Sequence, residues 1–436
     1  MITPGSAAHF PGAPNRVRRP RAIVVVTGSE LVRGERTDRN GPFLAAEALR
    51  LGLEPARITI VSDAPAELEA VLREGLEADA CLVSGGLGPT HDDRTVEFVA
   101  RAAGLELVVD ETLEREIESI SRLVAERLRR SYADFAPGVK KQATRPAPAV
   151  SIGLAGTAPG LVLRAPTGCV VVVLPGPPSE LRRLWPNALE SEPMRELLER
   201  TRPPGRRVLR LFGVSESAVA RALEEAGGDG DGVEVTICAR DFEIHVDLVV
   251  EPGAEARAEA LETGLAERLE PFLFARDERR VEELVLSLAV ARGLRLATAE
   301  SCTGGLVAAR LTDIPGSSAS FVGGLVAYAN ELKRAELDVP EELLAQHGAV
   351  SAEVAEAMAE GARQRLGADV AVAVTGVAGP EGGTPDKPVG RVHLHAAGPD
   401  GSLARMLDLP GERAQIRVRA TVTALHLLRA LLTEAG

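Results

Sequence analysis

The residues with the widest chemical reach lie in one stretch, Ala297-Thr-Ala-Glu-Ser-Cys-Thr-Gly-Gly-Leu306. An apolar lead-in at 294–297 and an apolar-periodic run at 306–311 make it read as strand, tight turn and helix. At such a turn Ser301 can attack a carbonyl carbon. The N–H groups of Thr303, Gly304 and Gly305 can hold an oxyanion or a phosphate, because a helix N-terminus favours negative charge. The plainer reading makes Ser301 or Thr303 an N-cap and the glycines a turn. Cys302 is the second candidate nucleophile, with no histidine in the local motif to activate it.

A second polar loop, Ser84-Gly-Gly-Leu-Gly-Pro-Thr-His-Asp-Asp-Arg-Thr95, follows an apolar run at 80–83. Gly85, Gly86 and Gly88 let backbone approach a phosphate with no Cβ in the way. Asp92 and Asp93 could ligate a hard divalent cation that bridges diphosphate oxygens. Asp92 could equally cap the helix predicted over 94–103. A third loop, 27–40, carries Glu30, Asp38 and Asn40.

The elements that must position these loops alternate regularly. Strands at 22–27, 55–61 and 80–83 interleave with helices at 42–51, 66–76 and 94–103. That βαβ order predicts a mostly parallel sheet with ligands at the carboxyl ends of its strands. A smaller α+β unit follows, with strands at 207–212, 233–239, 243–250 and 272–275 and helices at 216–226 and 254–269. The last part is again α/β, with helices at 280–292 and 352–366 and strands at 370–374 and 392–396. Thr375-Gly-Val-Ala-Gly-Pro380 and Lys387-Pro-Val-Gly390 lie just past or between strands. The expected division is a disordered leader at 1–20 and domains at 21–188, 205–276 and 278–436.

Composition narrows the function classes. Hydrophobic content of 45% and charged content of 26% suit a soluble globular protein. One Trp, two Tyr and nine Phe leave few platforms for stacking single-stranded bases. A net charge of −13 argues against a broad nucleic-acid footprint but leaves room for a small anionic ligand. The four cysteines, Cys81, Cys169, Cys238 and Cys302, have neither metal-knuckle nor disulfide-framework spacing, which points to a reducing cytosol. No apolar run is long enough for a signal peptide or a membrane span. The expectation is a soluble, cytoplasmic protein.

The loop Gly85-Gly-Leu-Gly-Pro-Thr-His-Asp-Asp-Arg-Thr95 closely resembles a signature of the CinA (competence- and damage-inducible) family. Gly28-Ser-Glu-Leu, Lys141-Gln-Ala143, Gly156-Thr-Ala-Pro-Gly160 and Leu174-Pro-Gly-Pro-Pro-Ser-Glu-Leu181 match further family blocks. The resemblance implies an N-terminal three-layer domain of the MoaB/MogA type, associated in the family with metal-dependent hydrolysis of ADP-ribose. Its implied site residues are Glu30, Asp38, Asn40, the three glycines, Asp92, Asp93 and Lys141, with Asp92 and Asp93 on the metal. Arg39 replaces a usual Thr, and Val139 stands where an Asn is common, which puts that hydrolysis in question here. The middle unit is similar to the family's KH-like domain. Its Gly227-Gly-Asp-Gly230 sits among Glu224, Glu225, Asp229 and Asp231, so it reads as a solvated turn and nucleic acid is not an expected partner.

Residues 280–430 resemble nicotinamide mononucleotide (NMN) deamidase, the PncC-type domain of CinA proteins. Glu300-Ser-Cys-Thr-Gly-Gly305, Tyr328 with Asn330 and Lys333, Thr375-Gly-Val-Ala-Gly-Pro380 and Lys387-Pro-Val-Gly390 carry the likeness. Glu412, before Arg413, replaces a common Asp. The resemblance implies that Ser301 attacks the nicotinamide carbonyl and that Lys333 takes its proton, directly or through Tyr328. It gives Thr303, Gly304, Gly305, Asn330, Thr375, Gly376, Gly379, Arg413 and Arg417 to substrate, with the loop 375–379 and Arg417 as candidates for its ribose and phosphate, and it needs no cofactor at this site. The implied ligands are NMN and ADP-ribose and the implied assembly is a homodimer. The competing expectation is a non-catalytic binder of nucleotide- or pterin-like ligands, linked to competence or DNA damage.

Overall fold

The computed structural model describes residues 19–434; residues 1–18 of the expected leader lie outside them. The chain forms two compact units, one of residues 19–205 with 251–253 and one of 206–250 with 254–434.

The first unit is built on a six-stranded sheet in the order β2-β1-β3-β8-β7-β6. Its strands are β1 (Arg21–Thr27), β2 (Glu54–Val61), β3 (Ala80–Ser84), β6 (Val150–Ala155), β7 (Ala158–Arg164) and β8 (Val170–Leu174). The short strands β4 (Leu107–Val109) and β5 (Thr144–Pro146) pair apart from it. β2, β1, β3 and β8 run parallel, and β7 and β6 are antiparallel additions. β1, β3 and β8 are almost wholly apolar because helices cover both their faces. Leu68, Leu72 and Phe98 pack on one side, Leu44, Leu181 and Trp185 on the other. The result is three layers, with the loops after β1, β3 and β8 at one edge.

The second unit contains two sheets. The four-stranded one has the order β10-β11-β9-β12, from β9 (Gly205–Phe212), β10 (Val233–Arg240), β11 (Glu243–Val250) and β12 (Leu273–Ala275). Helices Glu216–Glu225 and Glu255–Arg268 pack on it. The Gly227–Gly230 segment ends the first of these helices, and Arg257 Nη2 donates to the carbonyls of Gly227 and Gly228 at 2.8 and 2.9 Å.

The five-stranded sheet has the order β14-β13-β15-β16-β17. Its strands are β13 (Leu296–Glu300), β14 (Phe321–Val326), β15 (Val370–Gly376), β16 (Arg391–Gly398) and β17 (Gly401–Asp408). β14, β13 and β15 are parallel, so their carboxyl ends share one edge, and β16 and β17 run antiparallel. Helices Val281–Ala291 and Arg413–Glu434 cover one face. Asn330–Leu337 and Ala352–Leu366 cover the other. The edge strands β14 and β17 fall outside the sequence expectations. Among the described residues, no helix is long and apolar enough to cross a membrane.

Candidate functional site

The parallel strands of the five-stranded sheet bring the chemistry of the second unit together. Ser301 follows β13, and its N–H donates to Val374 O of β15 at 2.9 Å. Lys333 lies on the Asn330–Leu337 helix and is 1% exposed. Its Nζ stands 3.1 Å from Ser301 Oγ, 3.0 Å from Ala327 O and 3.1 Å from Tyr328 O. Burial holds the Lys333 amine below the ordinary lysine value, against weaker opposing pulls from Cys302 and Glu331. A neutral amine has two hydrogens and one lone pair. Two carbonyls and one hydroxyl are the complement of that set.

The turn itself is held by a carboxylate. Glu300, 1% exposed, accepts the N–H groups of Gly305 and Val307 at 3.0 Å each and of Ala308 at 2.9 Å. Gly304 N–H donates to Ser301 O at 3.0 Å. Of the three N–H groups expected to hold an oxyanion, the chain itself engages those of Gly304 and Gly305, and Thr303 is fully buried. Burial pushes the Cys302 thiol up to about 11, so it is a poor thiolate at neutral pH.

Two further expectations change. Arg417 directs Nε to Cys302 O at 3.1 Å and Nη2 to Thr303 O at 2.8 Å, so its fork buttresses the turn rather than standing free for a phosphate. Arg413 donates to Gly379 O at 2.8 Å and to Tyr328 Oη at 3.0 Å. The Tyr328 hydroxyl is thus turned to Arg413 and does not bridge Ser301 to Lys333, which meet directly. Thr375 Oγ1 donates to Ala349 O at 2.7 Å. Asn330 is exposed at the start of its helix, and Gly376 ends β15.

In the first unit the expected residues divide between cavities, except Gly85 and Asp92, which line none of the three described next. One of about 580 Å3 is lined by Glu30, Arg36, Asp38, Arg39, Asn40 and Ser84, with Gly176 and Pro177. One of about 250 Å3 shares Gly176 and Pro177 and adds Gly86, Gly88, Asp93 and Gln142. One of about 200 Å3 shares these last four and adds Arg94 and Lys141. The shared walls make them successive parts of one groove at the carboxyl ends of β1, β3 and β8. A Cβ at Gly85 would run into Thr27 O, and one at Gly86 into Thr95 Oγ1, at φ values of 108° and 65°. Only glycine fits that turn.

Some groove residues are already engaged. Asp38 caps the Asn40–Arg50 helix by accepting from Asn40 N at 2.8 Å and Gly41 N at 3.1 Å. Buried Asn40 donates to Ser84 Oγ at 2.9 Å and Gly176 O at 2.7 Å, tying three loops together. Asp92 and Asp93 both accept from Thr90 Oγ1, and Lys141 donates to Thr90 O. Among the described residues no set of three His, Cys, Asp or Glu side chains could hold a metal ion. Val139 packs with Leu113, Ile117 and Ala143 in a small separate core and lines none of the three cavities.

Comparison with known proteins decides the family. The profile of the CinA C-terminal domain matches residues 278–432, that of the "Probable molybdopterin binding domain" matches 23–194, and that of the CinA KH domain matches 206–275. A CinA-like protein of Mycobacterium avium is 45% identical over 435 residues, covering 95% of this chain and 99% of that one. One from Mycobacterium marinum is 46% identical over 428 residues, with the same coverage. The chain belongs to the CinA family. Its parts are a MoaB/MogA-like N-terminal domain, a KH-like middle domain and the α/β CinA C-terminal domain. The crystal structure of competence/damage inducible protein CihA from Agrobacterium tumefaciens is 44% identical, at a TM-score of 0.34, over 36% of this CinA chain and 99% of its own.

Two site features of this CinA protein go beyond the sequence reading. Glu300 acts as the clamp of the turn, and its signal was a carboxylate placed directly before the serine. Arg36 enters the groove wall from the loop after β1, where no pattern singled it out.

Proposed function

We propose that the C-terminal domain is an amidohydrolase that converts NMN and water to nicotinate mononucleotide and ammonia. The observation that carries this reading is the buried Lys333 amine 3.1 Å from Ser301 Oγ, with only carbonyls as its other partners. Water attacks amides poorly, and a positioned hydroxyl splits the reaction into acylation and hydrolysis. Lys333 accepts the Ser301 proton as Oγ bonds to the carboxamide carbon. The carbonyl oxygen gains the negative charge as the tetrahedral intermediate forms. Lys333 then returns the proton to nitrogen, the C–N bond breaks and ammonia leaves. Water, deprotonated by Lys333, attacks the ester and releases the carboxylate with Ser301 restored. The decisive comparison is ammonia release from NMN by wild type and by Ser301→Ala; equal rates would remove Ser301 from the mechanism.

The N-terminal groove supports a second activity, hydrolysis of ADP-ribose. Three linked cavities suit an extended ligand with a nucleoside at one end of a diphosphate and a ribose at the other. Asp92 and Asp93 converge on the Thr90 hydroxyl and are the two carboxylates that would hold a divalent cation. Such a cation, when bound, would neutralise charge on the phosphates. Because Asp38 and Asn40 are engaged in the fold, ligand retention without turnover is the competing reading for this domain. Release of AMP from ADP-ribose with Mg2+ by wild type, lowered at least about tenfold in Asp92→Asn and Asp93→Asn, supports hydrolysis. No AMP from wild type makes the domain a binder.

A further inference from the structure

Arg417, one candidate for the anionic end of an NMN-like substrate beside the loop 375–379, directs two of its three nitrogens onto the nucleophile turn. The sheet register shows where another lies. Glu300 pairs with Val374, and Ser301 N–H carries that ladder one residue further, opposite Thr375. Thr375 in turn pairs with His393 of β16. Ser301, Thr375 and His393 thus form one row across three strands, on the face that carries Ala299 and Ala373. Two interstrand spacings put His393 about 10 Å from Ser301. That is on the scale of the reach from the carboxamide to the phosphate of a nicotinamide nucleotide.

Lys387 stands over the same end of the row. Its Nζ donates to His347 O, and a Cβ at the neighbouring Gly348 would lie 2.9 Å from it. The loop beneath it is the one whose Ala349 carbonyl accepts from Thr375 Oγ1. Lys387 is half-buried and makes no ion pair among the described residues, whereas Arg391 beside it is paired with Asp408. Two carboxylates, Glu353, which faces His347 at 3.4 Å, and Asp408, which is paired with Arg391, favour the charged form of His393. Burial first, then the charges of Arg391 and Lys387, hold the His393 imidazole below its ordinary value. A phosphate bound there would relieve that repulsion.

We infer that Lys387, with His393 at the end of the Ser301–Thr375 row, forms the subsite for the substrate's phosphate. The inference rests on the amidohydrolase reading for its substrate, and the experiment separates the two. In the full chain, Lys387→Gln raises KM for NMN about 10- to 100-fold, the scale of one charge-assisted hydrogen bond. Its kcat and its KM for the dephosphorylated riboside stay near wild type, and Lys387→Arg recovers most of the loss for NMN. Equal changes on both substrates, or none on NMN, overturn the subsite. A binding arm uses inorganic phosphate alone, read from the His393 ring-proton resonance assigned by its loss in His393→Gln. Phosphate moves that resonance in wild type and not in Lys387→Gln. A wild type that shows the shift but releases no ammonia keeps the anion subsite and discards the deamidase. No shift in wild type discards the subsite whatever the enzyme does.

Discussion

Replacing Lys333 with methionine tests the centre of the mechanism. The substitution keeps an unbranched apolar stem in a position only 1% exposed and removes the amine 3.1 Å from Ser301 Oγ. A lysine at its ordinary value is neutral in roughly one molecule in 2500 at pH 7, and each unit of lowering multiplies that fraction tenfold. Burial lowers Lys333 against weaker opposing pulls from Cys302 and Glu331. The neutral form is the base, so activity is low below the folded value and rises as pH climbs through it. The acid limb of kcat/KM should therefore fall below the ordinary lysine value of 10.5. Loss of a general base lowers the rate about 10²- to 10⁴-fold. Two buried carbonyls lose a donor at about 1–3 kcal/mol each, offset by no longer desolvating an amine, so the fold should survive. Ammonia release between pH 6 and 10, with thermal unfolding as a control, is the assay. Lys333→Arg should not restore activity, because a guanidinium cannot give up its proton. A folded Lys333→Met protein with more than about a tenth of wild-type kcat/KM would refute the assignment.

Two further outcomes follow from the buried carboxylates. Glu300→Gln turns an acceptor for backbone N–H groups partly into a donor that faces one of them, so Ser301 loses its fixed aim. Steady-state kinetics should show kcat down about 10- to 100-fold with KM little changed, and an unchanged kcat would show that the turn holds without the clamp. Glu243 on β11 is 4% exposed and meets His426 Nε2 at 2.8 Å and His245 Nε2 at 3.4 Å. Burial alone would raise its carboxyl, but the hydrogen bonds from the two histidines outweigh that and bring it to about 2. A folded value below the unfolded one of about 4.5 stabilises the protein above 4.5, and the contribution fades as pH falls toward 2. Glu243→Gln should lower stability at pH 7 by about 1–3 kcal/mol, with a difference that shrinks in acid. Denaturant midpoints at pH 7 and pH 4 measure it, and a gap that widens at pH 4 would reverse the sign.

How much of this was legible in the sequence depends on which forces act locally. The helix read at 352–366 matches Ala352–Leu366, and the strand read at 243–250 matches β11, because caps and apolar periodicity are local signals. β14 escaped because Gly323 and Gly324 interrupt its β-branched run and only one neighbour pairs with it. β17 escaped because its side chains are mostly exposed and show no alternation. At the site, the meeting of Ser301 and Lys333 came from the family likeness, since no local pattern links residues on different elements. What resisted reading was where each polar side chain points. The sequence motif suggests a glycine-rich helix start open to an anion, yet the anion there is the chain's own Glu300. That changes the chemistry expected of the turn. A free helix end would favour holding an anionic group beside Ser301. A filled one leaves Ser301 facing the Lys333 amine and two carbonyls, a setting for proton transfer and amide attack.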